Sequence, residues 1–284
     1  MDSAAQPLSA RVQVLKTTGL ILLTGLCVFL LELHFGLRNS LQKFRGAEAA
    51  SLCNATAGYS EEQGSGGDDA VAAISESPPL PVMMHEKEAA LVESLLSSDV
   101  VALEWGSGGS TFLISPRVQT LYSIEASAGW CDGMQQNAGE AMKVLRRAEK
   151  LFFLCANRYA PTKRLSYPTD KPSEAVKAFR GPYIEVMDTL ANLRNVTYYD
   201  LVLIDGRYRL ACLMYALKYT DSKSKLLVHD FDRFKKRIAE QLPNTFELVQ
   251  EAEKMGWLKK KEGASFDSEE VQSFYKEMIL SPGP

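Results

Sequence analysis

Beyond residue 80 the chain alternates short apolar runs with longer stretches in which apolar residues recur every three or four positions. The runs cover residues 100–105, 120–125, 151–157, 199–205 and 225–232; the last four close on a polar residue, and the first carries Glu104 just inside its end. Continuous apolar runs of this length read as strands covered on both faces, and their alternation with helical stretches reads as one mostly parallel sheet. The helical stretches are 85–97, with Ala89, Val92, Leu95 and Leu96 on one side, 130–150, and the segment that follows Gly206 through Cys212, Leu213 and Leu217. Residues 245–250 and 256–260 pattern as a closing antiparallel hairpin. Seven strands with helices on both faces are therefore predicted.

The first 81 residues follow a different pattern. Residues 17–31 carry no charge, and as a helix they span about 22 Å, which Leu33, Phe35 and Leu37 extend toward the roughly 30 Å of a bilayer core. We read 17–37 as a transmembrane signal-anchor behind a short tail, 1–16. A cleaved signal peptide is the rival, because Ala47-Glu48-Ala49 has a small-x-small form. An organelle-targeting segment is a third reading, since Asp2 is the single acid before Glu32. Residues 38–81 are rich in Ala, Gly, Ser and acids and end in Pro78-Pro79-Leu80-Pro81, which predicts a flexible stem. The folded domain is then 82–284, large enough for a single core. Asn54-Ala55-Thr56 and Asn195-Val196-Thr197 become glycosylation acceptors if this domain is lumenal, as in the endoplasmic reticulum or Golgi.

Charge and cysteine content narrow the chemistry. A net charge of −3 with no basic patch argues against nucleic acid as a partner. The cysteines at 27, 53, 131, 155 and 212 form no C-x-x-C and no Cys/His cluster, so no metal site is expected. Cys155 and Cys212 lie in apolar settings and read as core fillers rather than disulfide partners.

The strand at 100–105 empties into Gly106-Ser107-Gly108-Gly109-Ser110-Thr111. Glycines there bring the main chain close to a ligand, and Ser110 and Thr111 suit the start of a helix. A dinucleotide fingerprint needs Gly at position 111, where this chain has Thr. The form present is Glu104-x-Gly106-x-Gly108, and in this it resembles the class I S-adenosylmethionine (SAM)-dependent methyltransferases, whose Rossmann-like fold holds the methionine part of SAM on such a loop. Glu125 closes the second strand 21 residues after Glu104, where a carboxylate accepts hydrogen bonds from both ribose hydroxyls of a nucleoside. The resemblance implies Glu104, Gly106, Ser107, Gly108, Ser110, Thr111 and Glu125 as SAM-binding residues, with Asn157 near the adenine.

The later strands end on candidates for the acceptor side. Asp205 closes the fourth strand, and Arg207 and Arg209 follow Gly206 into a helix. His229, Asp230 and Asp232 close the fifth. Strand ends of an open α/β sheet converge on one cleft, so Asp205, His229 and Asp230 are candidate catalytic residues, with His229 a proton acceptor near neutral pH. Arg207 and Arg209 suit an anionic substrate, and Tyr167 and Asp170, in the irregular stretch 158–188, are expected to contact the acceptor. Residues 104–111, 167–170, 204–209 and 228–233 together resemble a membrane-anchored branch of the methyltransferase superfamily, over roughly 82–261.

The reading is a SAM-dependent methyltransferase acting on a hydroxyl or carboxyl oxygen of an unidentified acceptor, with no assignment of oligomeric state. Two rivals remain. Asp230-Phe231-Asp232 is an Asp-x-Asp that suits a membrane-anchored glycosyltransferase with a divalent ion, and a SAM-binding domain without catalysis would serve as an interaction module.

Overall fold

The computed structural model describes residues 67–156, 162–163, 167–168 and 172–281. The expected anchor at 17–37 lies outside these residues, and none of the helices among them is long and apolar enough to cross a membrane.

Five parallel strands form the body of one sheet: β1 (Val101–Trp105), β2 (Thr120–Glu125), β3 (Leu151–Cys155), β6 (Leu201–Ile204) and β7 (Lys225–Val228). The hairpin β8 (Phe246–Ala252) and β9 (Met255–Lys260) adds antiparallel through β9, giving the order β3-β2-β1-β6-β7-β9-β8. A separate two-stranded ribbon joins β4 (Thr162–Lys163) to β5 (Tyr167–Pro168).

Successive strand residues point to opposite faces, which divides the core in two. Leu103, Trp105, Ile124, Val202 and Ile204 pack on one face beneath α6 (Val186–Arg194), α7 (Arg209–Ala216) and α9 (Glu269–Met278). Ala102, Leu121, Leu201, Leu203 and Leu227 pack on the other beneath α1 (Gly67–Glu76), α2 (Glu86–Glu93), α3 (Gly109–Ile114) and α4 (Ala128–Arg147). The central strands are therefore mostly apolar on both faces, with Glu104 and Ser123 the buried polar positions.

Three local expectations are revised. The stretch expected to be a flexible stem contains α1, whose Val71 and Ile74 are buried and whose Ser75 carbonyl accepts from Arg117 Nη2 at 3.1 Å. Two apolar anchors are enough once α4, α3 and the turn at Ser115–Arg117 offer a surface for them. The stretch expected to be irregular holds α5 (Pro172–Phe179), a π-helical turn (Arg180–Ile184) and the start of α6, with Phe179, Tyr183, Ile184 and Met187 fully buried. Cys155 is no core filler: it is bonded to Cys131, tying the first turn of α4 to the end of β3. The two are 24 residues apart and meet only because α4 lies back across the sheet; Cys212 alone keeps the role of a buried thiol. The remaining short helix α8 (Lys235–Gln241) follows a 3-10 turn at Phe231–Arg233.

Candidate active site

Strand register brings the site together. Trp105 pairs with Ile124 on one side and Ile204 on the other, and Ile204 pairs with Val228. The residues that follow these, Gly106, Glu125, Asp205 and His229, therefore leave the sheet at one level on its carboxyl edge.

The loop after β1 is built from beneath. Glu104 is fully buried, and its carboxylate accepts hydrogen bonds from Ser110 Oγ, from Thr111 Oγ1 at 2.7 Å and from Ser123 Oγ at 2.7 Å. Thr111 Oγ1 in turn accepts from the Gly108 N–H at 3.0 Å, and Ser107 Oγ pairs with Ser123 Oγ at 2.7 Å. The hydroxyls of Ser107, Ser110 and Thr111 thus turn inward toward Glu104 and Ser123, leaving main chain on the cleft side. Burial pushes the Glu104 carboxyl up to about 7, against the pull of the three hydroxyls, and the Asp205 charge adds to the rise. Gly106 has φ +95°, a conformation that suits glycine.

At the end of β2, Glu125 is nearly buried and accepts from the Ser127 N–H at 2.6 Å. Trp130, half exposed on the first turn of α4, donates its indole N–H to the Ser107 carbonyl at 2.6 Å, so its ring flanks the Gly-rich loop. One turn of α4 is therefore joined to the ends of all three neighbouring strands, through Ser127, Trp130 and Cys131. Trp130 was not singled out from sequence, because nothing local marks a helical tryptophan as part of a loop.

The other half of the site is a charge network. His229 Nδ1 lies 2.9 Å from Asp205 Oδ1, off the line of a hydrogen bond, and Nε2 lies 3.4 Å from Glu88 Oε2. Arg209, buried, reaches Asp205 Oδ1 at 3.1 Å, Asp230 Oδ2 at 2.7 Å and the His229 carbonyl at 2.7 Å. Arg233 Nη1 approaches Asp230 Oδ2 at 3.2 Å. Burial works against a charged imidazole, but Asp205 first, then Asp230 and Glu88, outweigh it and raise the His229 pKa above its ordinary value. Burial raises Asp230 as well, but Arg209, His229 and Arg233 outweigh it and hold this carboxyl below its usual range.

These contacts change several expected roles. His229, expected to accept a proton, lies between carboxylates that favour its charged form. Arg209 is committed to the network rather than to a substrate. Asp230 adopts φ 54° and faces two arginines, while Asp232 is exposed. Two guanidinium groups on one carboxylate disfavour the Asp-x-Asp cation site of the glycosyltransferase reading. Arg207 sits in the loop after β6, its N–H donated to Tyr183 Oη at 3.1 Å. Tyr167 lies in β5; Asn157 and Asp170 lie outside the described residues. Glu88, remote in sequence from every strand end, was missed.

No protein-family model and no curated protein matches the chain. Among solved structures, a methyltransferase-like protein from Silicibacter pomeroyi is similar over 72% of this chain and 98% of its own, at 19% identity and a TM-score of 0.54. A putative O-methyltransferase from Klebsiella pneumoniae covers 70% of this chain and 92% of its own, at 14% identity and TM-score 0.39. An O-methyltransferase from Bacillus cereus in complex with SAH covers 70% and 93%, at 12% identity and 0.37. The seven-stranded sheet and its helices thus have the Rossmann-like fold of the Silicibacter methyltransferase-like protein.

Proposed function

We propose that the chain is a SAM-dependent methyltransferase acting on a hydroxyl oxygen. The observation that carries this is the register of the strand ends, which puts the Gly106–Gly108 main chain, the Glu125 carboxylate and Asp205 at one level along the carboxyl edge. Glu125 and Asp205 leave strands two places apart in the sheet, about 10 Å, a span suited to a nucleoside at one end and a reacting centre at the other.

The residues fit SAM. A side chain added at Gly108 would meet nothing nearer than the Trp130 ring at 3.9 Å, so the loop offers a main-chain surface walled by an aromatic ring. Gly106 and Gly108 would face the methionine part and Glu125 the ribose. When bound, SAM supplies a methyl group on a sulfonium, open to in-line attack.

Asp205 performs the protein's part of the transfer. Both of its cationic neighbours contact Oδ1, and Oδ2 has no partner among the described residues. An acceptor hydroxyl donates its proton to Oδ2 while its oxygen forms the new C–O bond, the C–S bond breaks and the electron pair stays on sulfur. A carboxylate acceptor would meet Asp205 as a like charge. The geometry therefore favours a hydroxyl over the carboxyl alternative.

The same reading puts the domain in an oxidising, lumenal compartment behind the N-terminal anchor. Its support is the Cys131–Cys155 bond and the exposed Asn195 at the end of α6. A glycosidase-sensitive mobility shift that disappears in Asn195→Gln and Asn54→Gln tests it; a chain never modified when made in secretory cells speaks against it.

Calorimetric titration of the full-length chain with SAM and with SAH tests the cofactor. Binding that Glu125→Ala weakens at least tenfold is expected. A folded chain that binds neither ligand overturns the proposal.

A further inference from the structure

Glu88 stands on α2, outside all the strand ends, yet it is almost completely buried against the site. Its carboxylate holds three elements at once. Oε2 accepts the His85 N–H at 2.8 Å and faces His229 Nε2 at 3.4 Å, while Oε1 accepts the Lys254 N–H in the β8–β9 turn at 2.8 Å. The first and last of these contacts are ordinary structural ones, a helix cap and a turn anchor. The contact with His229 needs another account, because an imidazole pinned between two acids on opposite edges can face only one way.

We propose that Glu88 is a positioning residue of the site: it holds the His229 ring edge-on between itself and Asp205, so that His229 engages Asp205 Oδ1 and Oδ2 is left to face the acceptor. The chain of contacts runs from Glu88 through His229 to Asp205 Oδ1, where Arg209 Nη2 also arrives from α7. With two cations on one oxygen, the carboxylate of Asp205 cannot turn without leaving both. Losing the Glu88 charge frees the imidazole to rotate and to lose its proton, and Asp205 then rests on Arg209 alone. The groups that face His229 are Glu88 from α2, Asp205 after β6, its chain neighbour Asp230, and Arg209 from α7 at its carbonyl; Arg233 lies beyond Asp230.

The proposal rests on the methyltransferase reading only for the role of Asp205; the coupling of Glu88 to His229 is independent of it. The test is nuclear magnetic resonance of the full-length chain labelled at histidine. Three histidines are present, at 34, 85 and 229, and His229→Gln assigns the signal. In the unaltered chain the His229 titration midpoint should lie above the ordinary histidine value, and a midpoint at or below it overturns the proposal without any variant. Glu88→Gln, which keeps an acceptor oxygen, should lower the His229 titration midpoint by half a pH unit or more. A midpoint unmoved in a folded Glu88→Gln chain makes Glu88 a helix cap and no more. SAM binding is scored separately, so lost coupling with retained binding counts against this inference alone, and lost binding with retained coupling against the functional reading alone.

Discussion

Gly106 and Gly206 lie back to back at the carboxyl edge of the sheet: a Cβ on Gly106 would stand 2.7 Å from the Gly206 nitrogen. The loop after β1 and the loop after β6 therefore share a surface that only two glycines permit, and this contact sets the Gly-rich loop against Asp205. Gly106→Ala combines that clash with φ +95° and is expected to cost about 2–4 kcal/mol. Gly133→Ala, in α4 with open space around it, should be neutral or gain up to about 1 kcal/mol. Urea denaturation of both variants checks the contrast, and equal midpoints would contradict the packing described.

Glu104 makes stability fall with rising pH. Its folded pKa, about 7, lies above the ordinary carboxyl value of 4.5, so the folded chain holds the proton more tightly than the unfolded one. The contribution is complete below pH 4.5 and is lost as pH rises through about 7. A shift of this size corresponds to about 3 kcal/mol across the window. His229, also raised, acts in the same direction from its ordinary value upward. Melting temperatures of the parent and Glu104→Gln between pH 4.5 and 7.5 should show a flatter profile for the variant; parallel profiles would remove Glu104 as the cause.

The Cys131–Cys155 bond closes a loop of 24 residues, and by chain entropy it should stabilise the fold by about 3 kcal/mol. It also pins the turn that carries Trp130 and adjoins Glu125. Reduction, or Cys131→Ser with Cys155→Ser, should lower the urea midpoint and weaken SAH binding several-fold. If the midpoint drops and SAH binding does not, the bond serves the fold without shaping the cofactor wall.

Removal of α1 should be felt by the folded domain. Val71 and Ile74 bury about 3–5 kcal/mol of apolar contact, most of it offset by the entropy of ordering the helix, leaving about 1–2 kcal/mol. Pro81, which closes over Gly109, would also go. A chain shortened to begin at Val82 is expected to unfold at lower urea than one beginning at Ser65, and coincident curves would make α1 an ornament of the sheet.

What the sequence by itself determined is the sheet and the places where it ends. Continuous apolar runs specify buried parallel strands, because a strand covered on both faces has no polar side, and the Gly-rich loop after the first run and the polar residues closing the later ones mark the carboxyl edge. Gly106, Glu125, Asp205 and His229 were legible for that reason. Only the tertiary structure decided which side chains hold the others in place. Ser110 reads as a helix cap but turns to Glu104, and Thr111 does cap the Gly108 N–H while its own hydroxyl also turns to Glu104, since a buried carboxylate must collect nearby donors. Arg209 reads as a substrate residue but answers two acids, Asp205 and Asp230, which lie on neighbouring strand ends. Glu88 and Cys131, the partner of Cys155, lie on helices that approach the strand ends only after packing across the sheet, and no local pattern records where a helix will land.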